Sequence, residues 1–322
     1  MTGPLQTRSV HRALDVLQFL SENGPSGLHR LHMGTGLSKS TLRRLLATLV
    51  ERRFVRTGIS DAMYRSNTAL PDHPRAGLIV QIGQLVEVAR PHMLALTTQA
   101  RWPVDLHIYV HGRMQILDST RGLSPFPSSQ ILKPETELNV FAAASGLAFL
   151  AALDDERVLA IVDELKNDMF SSLARFGIKP ARLLKDLADI RRQGFATRRL
   201  SQSTPGDRNA IAVPLFEKEA AAAHFQAKWT PVRVKKMRSL NKPDASFRSN
   251  GSENAVGALS MSWKRKLMTP DDFAIQNLAA LKHAADEISA SLNATEQRTG
   301  PASSAPLRGV PGHHHALEQA ND

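Results

Sequence analysis

Apolar positions recur at helical spacing over residues 8–22 (RSVHRALDVLQFLSE), where Val10, Ala13, Leu14, Leu17 and Leu20 mark one face. Asn23-Gly24-Pro25 stops that helix, and a second short one over 27–34 carries Leu28 and Leu31. Gly34 and Gly36 punctuate the chain before Ser38, a favourable N-cap for a third helix, SKSTLRRLLATLVERR. On a helical wheel Leu42, Leu45, Leu46 and Leu49 share one face of that helix, and Ser40, Arg43, Arg44 and Ala47 the other. Two strand-like pieces, 54–57 and 63–66, flank a turn over 58–61. Three helices and a β-hairpin in so short a stretch predict a winged helix-turn-helix.

Residues 73–101 read as mainly helical, with Pro91 as a break or a new first turn. Beyond them, strand-like runs at 104–110, 114–118, 210–216 and 255–262 interleave with helix-like runs at 142–152, 154–166, 180–193 and 270–292. The pattern predicts an α+β protein. Its expected parts are a DNA-binding domain over 1–70, a linker and dimerisation helix over 71–101, and a larger sensor domain over 102–295. From about 296 the composition turns to Gly, Pro, Ser and Ala, so 296–322 reads as a disordered tail.

The chain has 322 residues, 42% hydrophobic and 22% charged, ordinary values for a globular protein. No run approaches the roughly 20 apolar residues of a membrane span, and no leader pattern opens the chain. With no cysteine, disulfides, thiolate catalysis and cysteine-bound metals are excluded, and a cytoplasmic location is the default. The net charge of +11 is unevenly spread. Residues 1–70 carry ten Lys/Arg against four Asp/Glu, and residues 228–248 carry seven against one. A basic block on the same segment as the helix-turn-helix favours a polyanionic partner.

A recognition helix must pack one face on its own domain and present donors to the major groove on the other. SKSTLRRLL meets both demands, which makes Ser38, Lys39, Ser40, Thr41, Arg43 and Arg44 candidate DNA contacts. Lys39 occupies a first turn where an acid would suit the helix dipole better, a mismatch that suits a helix end facing phosphate. The bland alternative is a solvated charged face. In the hairpin, Arg56 and Arg65 are candidate holders of flanking phosphates or simply exposed strand charges. Neither metalloprotease, nucleophile-elbow, Walker nor dinucleotide-binding motifs occur in their required context, so no enzyme activity, cofactor or metal is expected. The His313-His314-His315 tract lacks companion ligands. Asp154-Asp155-Glu156 and Asp271-Asp272 read as acidic helix starts.

The segments ALDVLQFL and GLHRLHMGTGLSKSTLRRLLATLVERRFV resemble the N-terminal domain of the IclR family of bacterial transcriptional regulators. The resemblance continues in AAASGLAFLAAL (142–153), in RRQGFATR and PGDRNAIAVPLF within 191–216, and in AVGALSMS (255–262) followed by Leu267-Met268-Thr269-Pro270. It covers about 8–295, and WPVDLHIYVHGRMQILDSTRGLSPFPSSQ is closest to members that control breakdown of phenylpropionate-type aromatic acids. One position departs: Arg53 stands where the family has Gly, at a helix C-cap that Arg would strain.

The resemblance implies a GAF-like α/β effector-binding domain with a curved antiparallel sheet, working as a homodimer or dimer of dimers on operator DNA. RNA polymerase is a further candidate partner. Matched positions implicate Leu138, Ala144, Ser145, Gly146, Pro214, Ser260 and Ser262 in binding a small organic acid. Backbone N–H groups before Gly146 would receive its carboxylate, and Ser260 and Ser262 would share one strand face, or be ordinary strand serines. Phe141 and the Ala142–Ala144 run suggest an apolar pocket suited to an aromatic effector. The family joins its last two strands by a tight hairpin, yet here 217–254 intervenes, first Ala-rich and then basic. Its composition predicts disorder; contact with DNA or closure of the pocket are the alternatives. The expected function is therefore effector-controlled, sequence-specific transcription regulation of a catabolic operon. Two rivals remain: a degenerate member with a disrupted sensor domain, and a small-molecule enzyme with a DNA-tethering domain.

Overall fold

Leucines three and four apart build the first unit, and a strand alternation of large and small residues builds the second. The computed structural model of the chain describes residues 7–69, 73–126, 134–198, 207–218 and 253–299. Helices α1 (Arg8–Asn23), α2 (Leu28–Thr35) and α3 (Lys39–Glu51) enclose Val16, Leu17, Leu20, Leu31, Leu42 and Leu46. Val10 and Leu14, expected on that core, stay at the surface at 55% and 47% exposure. The wing follows as strands β1 (Val55–Thr57) and β2 (Tyr64–Ser66), paired antiparallel.

The end of α3 carries the strain that the sequence announces. Arg53 adopts φ 59°, its N–H donates to Val50 O, and the Phe54 N–H donates to Leu49 O. These two bonds form a Schellman closure, whose left-handed residue is usually Gly. Arg53→Gly should therefore stabilise the N-terminal domain by about 1 kcal/mol, because the left-handed penalty exceeds the entropy that Gly adds to the unfolded chain. A urea midpoint that stays put or falls would contradict this.

A long helix, α4 (Ala76–Ala100), leads into the second unit, and Pro91 sits inside it without ending it. Strands β3 (Val104–Val110), β4 (Arg113–Ser119), β5 (Glu137–Asn139), β6 (Ala196–Thr197), β7 (Arg208–Lys218) and β8 (Glu253–Lys264) form one antiparallel sheet in the order β5-β4-β3-β8-β7-β6. Alternation sends Leu106, Ile108, Ile211, Val213, Leu259, Met261 and Trp263 towards α4 and α8 (Pro270–Thr299). The small Ala212 and Ala258 face the other way, beneath α5 (Ala144–Ala152), α6 (Asp155–Glu164) and α7 (Pro180–Gln193). The short β5 and β6 and a 3-10 turn at Leu173–Phe176 escape the sequence pattern because they span four residues or fewer.

The intervening segment is shorter than its predicted 217–254. Glu217 pairs with Asn254 and Lys218 with Glu253, so β7 and β8 stay in register along the sheet, with a bulge at Leu215/Phe216. This overturns the rival in which the insertion disrupts the sensor sheet. Residues 219–252, with the predicted disorder, lie outside the described residues. At the C-terminus α8 continues to Thr299, past the predicted start of the tail; 300–322, with the histidine tract, also lie outside them. Among the described residues no helix is long and apolar enough to cross a membrane, and no group of three His, Asp or Glu could hold a metal.

Candidate functional site

Two sites emerge, one on α3 and one between the sheet and α5. Ser38 caps α3 by accepting the Thr41 N–H at 3.2 Å, and its Oγ lies 2.9 Å from those of Ser40 and Thr41. The cap holds this turn firmly while Leu42, Leu46 and Leu49 anchor the buried face. Ser38, Lys39, Ser40, Arg43 and Arg44 are exposed and Thr41 half-exposed, so these six residues present polar groups at the surface. Among the described residues nothing pairs with the Lys39, Arg43 or Arg44 side chains.

Arg56 and Arg65 do not belong to that surface, which corrects the expectation that they hold phosphates. Both are buried, at 6% and 5% exposure. Arg56 donates to Ser66 O at 3.0 Å and to Asn67 Oδ1 at 2.6 Å. Burial, aided by the nearby Arg65, lowers its pKa to about 10. Arg65 spans Asp61 at 2.7 Å and Glu135 at 2.8 Å. Burial works against its charge, yet those two carboxylates keep it firmly protonated. Their place on short strands suggested exposed charges, and for Arg65 it hides a partner 70 residues away.

The second site is a cavity of about 310 Å³ on the α5 side of the sheet. Its floor is the polar register of three strands: Asp105 and His107 on β3, Arg208 to Ala210 on β7, Ser260 and Ser262 on β8. Its roof is the start of α5, from Ala142 to Ser145, with Leu138 beside it. Phe170, Arg175 and Phe176 close one rim, and Arg121 and Arg198 another. Of the seven expected pocket residues, Leu138, Ala144, Ser145, Ser260 and Ser262 line this cavity. Gly146 and Pro214 do not. A Cβ on Gly146 would meet Val140 O at 2.2 Å, so this glycine serves close packing of α5. Pro214 pairs with Ala258 on β7, beyond the end of β6. Phe141 is wholly buried in the α5–α7 core and does not line the cavity, contrary to expectation, whereas Ala142, Ala143 and Ala144 do line it.

The chemistry of the cavity is cationic. Asp105 accepts from Arg121 Nε at 3.0 Å and Nη2 at 2.6 Å, and from Ser119 Oγ at 2.5 Å. Although burial opposes it, the Arg121 charge keeps Asp105 below the usual carboxylate range. Arg208 donates through Nη2 to Ser262 O at 2.9 Å and Oγ at 3.3 Å. Burial, and then the nearby Arg121, lowers its pKa, with Asp105 and Asp207 opposing. His107 Nε2 lies 2.9 Å from Ser260 Oγ. Burial pushes the ring down to about 4, with Asp105 resisting and Arg121 assisting, so it is neutral at physiological pH. Five buried polar atoms of this wall have no protein partner among the described residues: Arg121 Nη1, Arg208 Nε and Nη1, His107 Nδ1 and Ser145 Oγ. Unpaired buried guanidinium N–H groups are costly, and an anion satisfies them. The alternation in VDLHIYV carried a signal for two of these residues, since Asp105 and His107 fall on the face opposite Leu106 and Ile108.

Two family models match the chain. One, for the IclR helix-turn-helix domain, covers residues 9–58. The other, for the bacterial transcriptional regulator IclR C-terminal domain, covers residues 78–238. The chain is 27% identical over 223 residues to the HTH-type transcriptional regulator BhcR of Paracoccus denitrificans, covering 67% of this chain and 75% of that protein. It is 24% identical over 196 residues to the transcriptional repressor IclR of Escherichia coli, covering 59% and 69%. The crystal structure of the Thermotoga maritima IclR superposes with a TM-score of 0.46 at 16% identity, over 89% of this chain and 99% of that one.

Proposed function

The chain belongs to the IclR family of bacterial transcriptional regulators, and on that premise we propose that it reads duplex DNA with α3 under the control of a small organic acid. The relatives it matches are transcriptional regulators rather than enzymes. The observation that carries the ligand half is the set of buried N–H groups on Arg121 and Arg208 that find no partner among the described residues. A carboxylate between them would satisfy both guanidiniums and balance the positive charge that four cavity arginines hold in excess over Asp105 and Glu137. The start of α5, where Ala143 offers no side-chain cap, adds its free N–H groups. Neutral His107 and Ser145 would receive a second polar group such as a hydroxyl. Leu138, Ala142, Ala144 and Phe176 would cover an apolar body between the two. The cavity volume lies at the small end of ligand pockets, which suits a single ring. An aromatic hydroxy-acid fits these demands.

On the DNA side, α3 would enter the major groove, with Arg43 and Arg44 towards base edges and Lys39 and the cap towards phosphate. The exposed Val10 and Leu14 of α1 and Val80 of α4 would be covered in a homodimer, which would set the half-site spacing. Thermal-shift measurements with benzoate, 4-hydroxybenzoate, the neutral benzamide and pyruvate test the ligand. Stabilisation by the two aromatic acids is expected, strongest for the hydroxylated one, with none from benzamide. Equal stabilisation by benzamide, or a response to pyruvate alone, would sink the assignment.

A further inference from the structure

The wing is too small to place itself. A hairpin with three residues per strand has little stability alone and takes its position from what it docks on. Part of that support is its own domain, where Val55 is buried in the helical core and Tyr64 exchanges backbone bonds with Ser26; the rest is the sensor domain, reached through polar groups. At the tip, the Ile59 N–H donates to both oxygens of Asp118, at 3.0 and 3.1 Å. Beside it, Arg90 of α4 donates to Thr57 O and lies 3.6 Å from Asp118. On the flank, Arg65 engages Glu135 through Nε at 2.8 Å and Nη2 at 3.1 Å. The same guanidinium holds Asp61, which shapes the wing turn by accepting the Met63 N–H at 3.0 Å.

Both sensor-domain carboxylates are tied to β4. Glu135 donates its backbone N–H to Ile116 O at 2.7 Å. Asp118 is itself a β4 residue, only 1% exposed, and its Oδ1 also accepts the Ser119 N–H at 2.9 Å. Ser119, the next residue, is fully buried and bonds to two residues that line the cavity. Its Oγ donates to Asp105 and accepts the Arg121 N–H at 3.2 Å. One oxygen of Asp118 thus serves the wing tip and the strand that borders the Arg121–Asp105 pair. A buried carboxylate held mainly by backbone donors adds little net stability compared with an apolar residue, whereas it fixes one geometry.

We propose that Asp118, supported by Glu135, is a positioning residue that clasps the wing to the sensor sheet, and that β4 carries the state of the cavity to this clasp. An anion that draws Arg121 away from Asp105 alters the bonds of Ser119, and with them the carboxylate that holds Ile59. The strength of this link is bounded by the preference of the anion for one arrangement over the other. The clasp stands by itself; only its link to the cavity rests on the reading of the cavity as an acid site.

Amide hydrogen exchange of the full chain, followed by mass spectrometry without any ligand, tests both halves. Asp118→Asn and the surface variant Glu135→Gln should each accelerate exchange over 55–66 by about tenfold, while β7 and β8 keep their protection. Ser119→Ala touches no wing atom, yet should accelerate the same segment. An unchanged hairpin in the Asp118→Asn/Glu135→Gln double variant overturns the clasp, and so does acceleration spread evenly over the sheet. A protected hairpin in Ser119→Ala overturns the link. Since no acid enters these measurements, they read the clasp and its link even if the cavity proves to bind none.

Discussion

Arg208→Met should weaken benzoate binding about thirtyfold or more while making the ligand-free protein more stable. The two signs have one cause. In the free protein Arg208 is 5% exposed and two of its three nitrogens find no partner. A buried charge in that condition costs more than its bonds to Ser262 return, so an apolar replacement of similar length should raise stability by about 1 kcal/mol. Once an acid is bound, the same guanidinium becomes half of a charge-assisted clamp, and its removal strands a carboxylate, a loss of about 2 kcal/mol or more. Isothermal titration with benzoate and urea denaturation of the apo-protein read the two quantities separately. A variant that loses stability and affinity together would make Arg208 a structural residue and remove it from the ligand site.

The largest effect on the nucleic-acid side is expected at Arg44. Arg44→Ala should lower operator affinity about 10- to 100-fold, with folding and acid binding unchanged, because one base-edge contact is worth about 1–3 kcal/mol. The helix itself should survive: the buried leucines on its far face, not Arg44, hold it to α1 and α2. The loss should be selective, with weak dependence on salt. Equal weakening on all sequences, with a salt slope shallower by about one, would assign Arg44 to phosphate instead. An unaffected operator would take α3 out of the groove.

The two halves of the molecule differ in how far the chain betrays them. The helix-turn-helix is written in local spacing: Leu42, Leu46 and Leu49 lie within two turns, Ser38 caps the Thr41 N–H, and Arg53 stands at a left-handed position. The four long sensor strands were also visible, β3 to the residue, because β-branched and aromatic runs lie between turn residues. The clamp was not visible. Arg121 follows β4, Arg208 begins β7, and only the pairing of β3 with β8 and of β8 with β7 brings them to one wall. No spacing rule links residues 87 positions apart. Arg65 failed for the same reason, because it is covered by Glu135; Arg56 failed because its partners, Ser66 O and Asn67 Oδ1, are met only once the hairpin closes.

The continuous register of β7 and β8 has a practical corollary. Because Lys218 and Glu253 are direct partners, the chain departs and re-enters at neighbouring points, about 5 Å apart. The 34 residues 219–252 can therefore be excised and the gap sealed with a two-residue Asn-Gly turn. The same doorway accepts any cargo whose own ends lie side by side, a fluorescent protein for instance. Since β8 runs unbroken from there to Ser260 and Ser262, such a graft would sit on the very strand that lines the cavity.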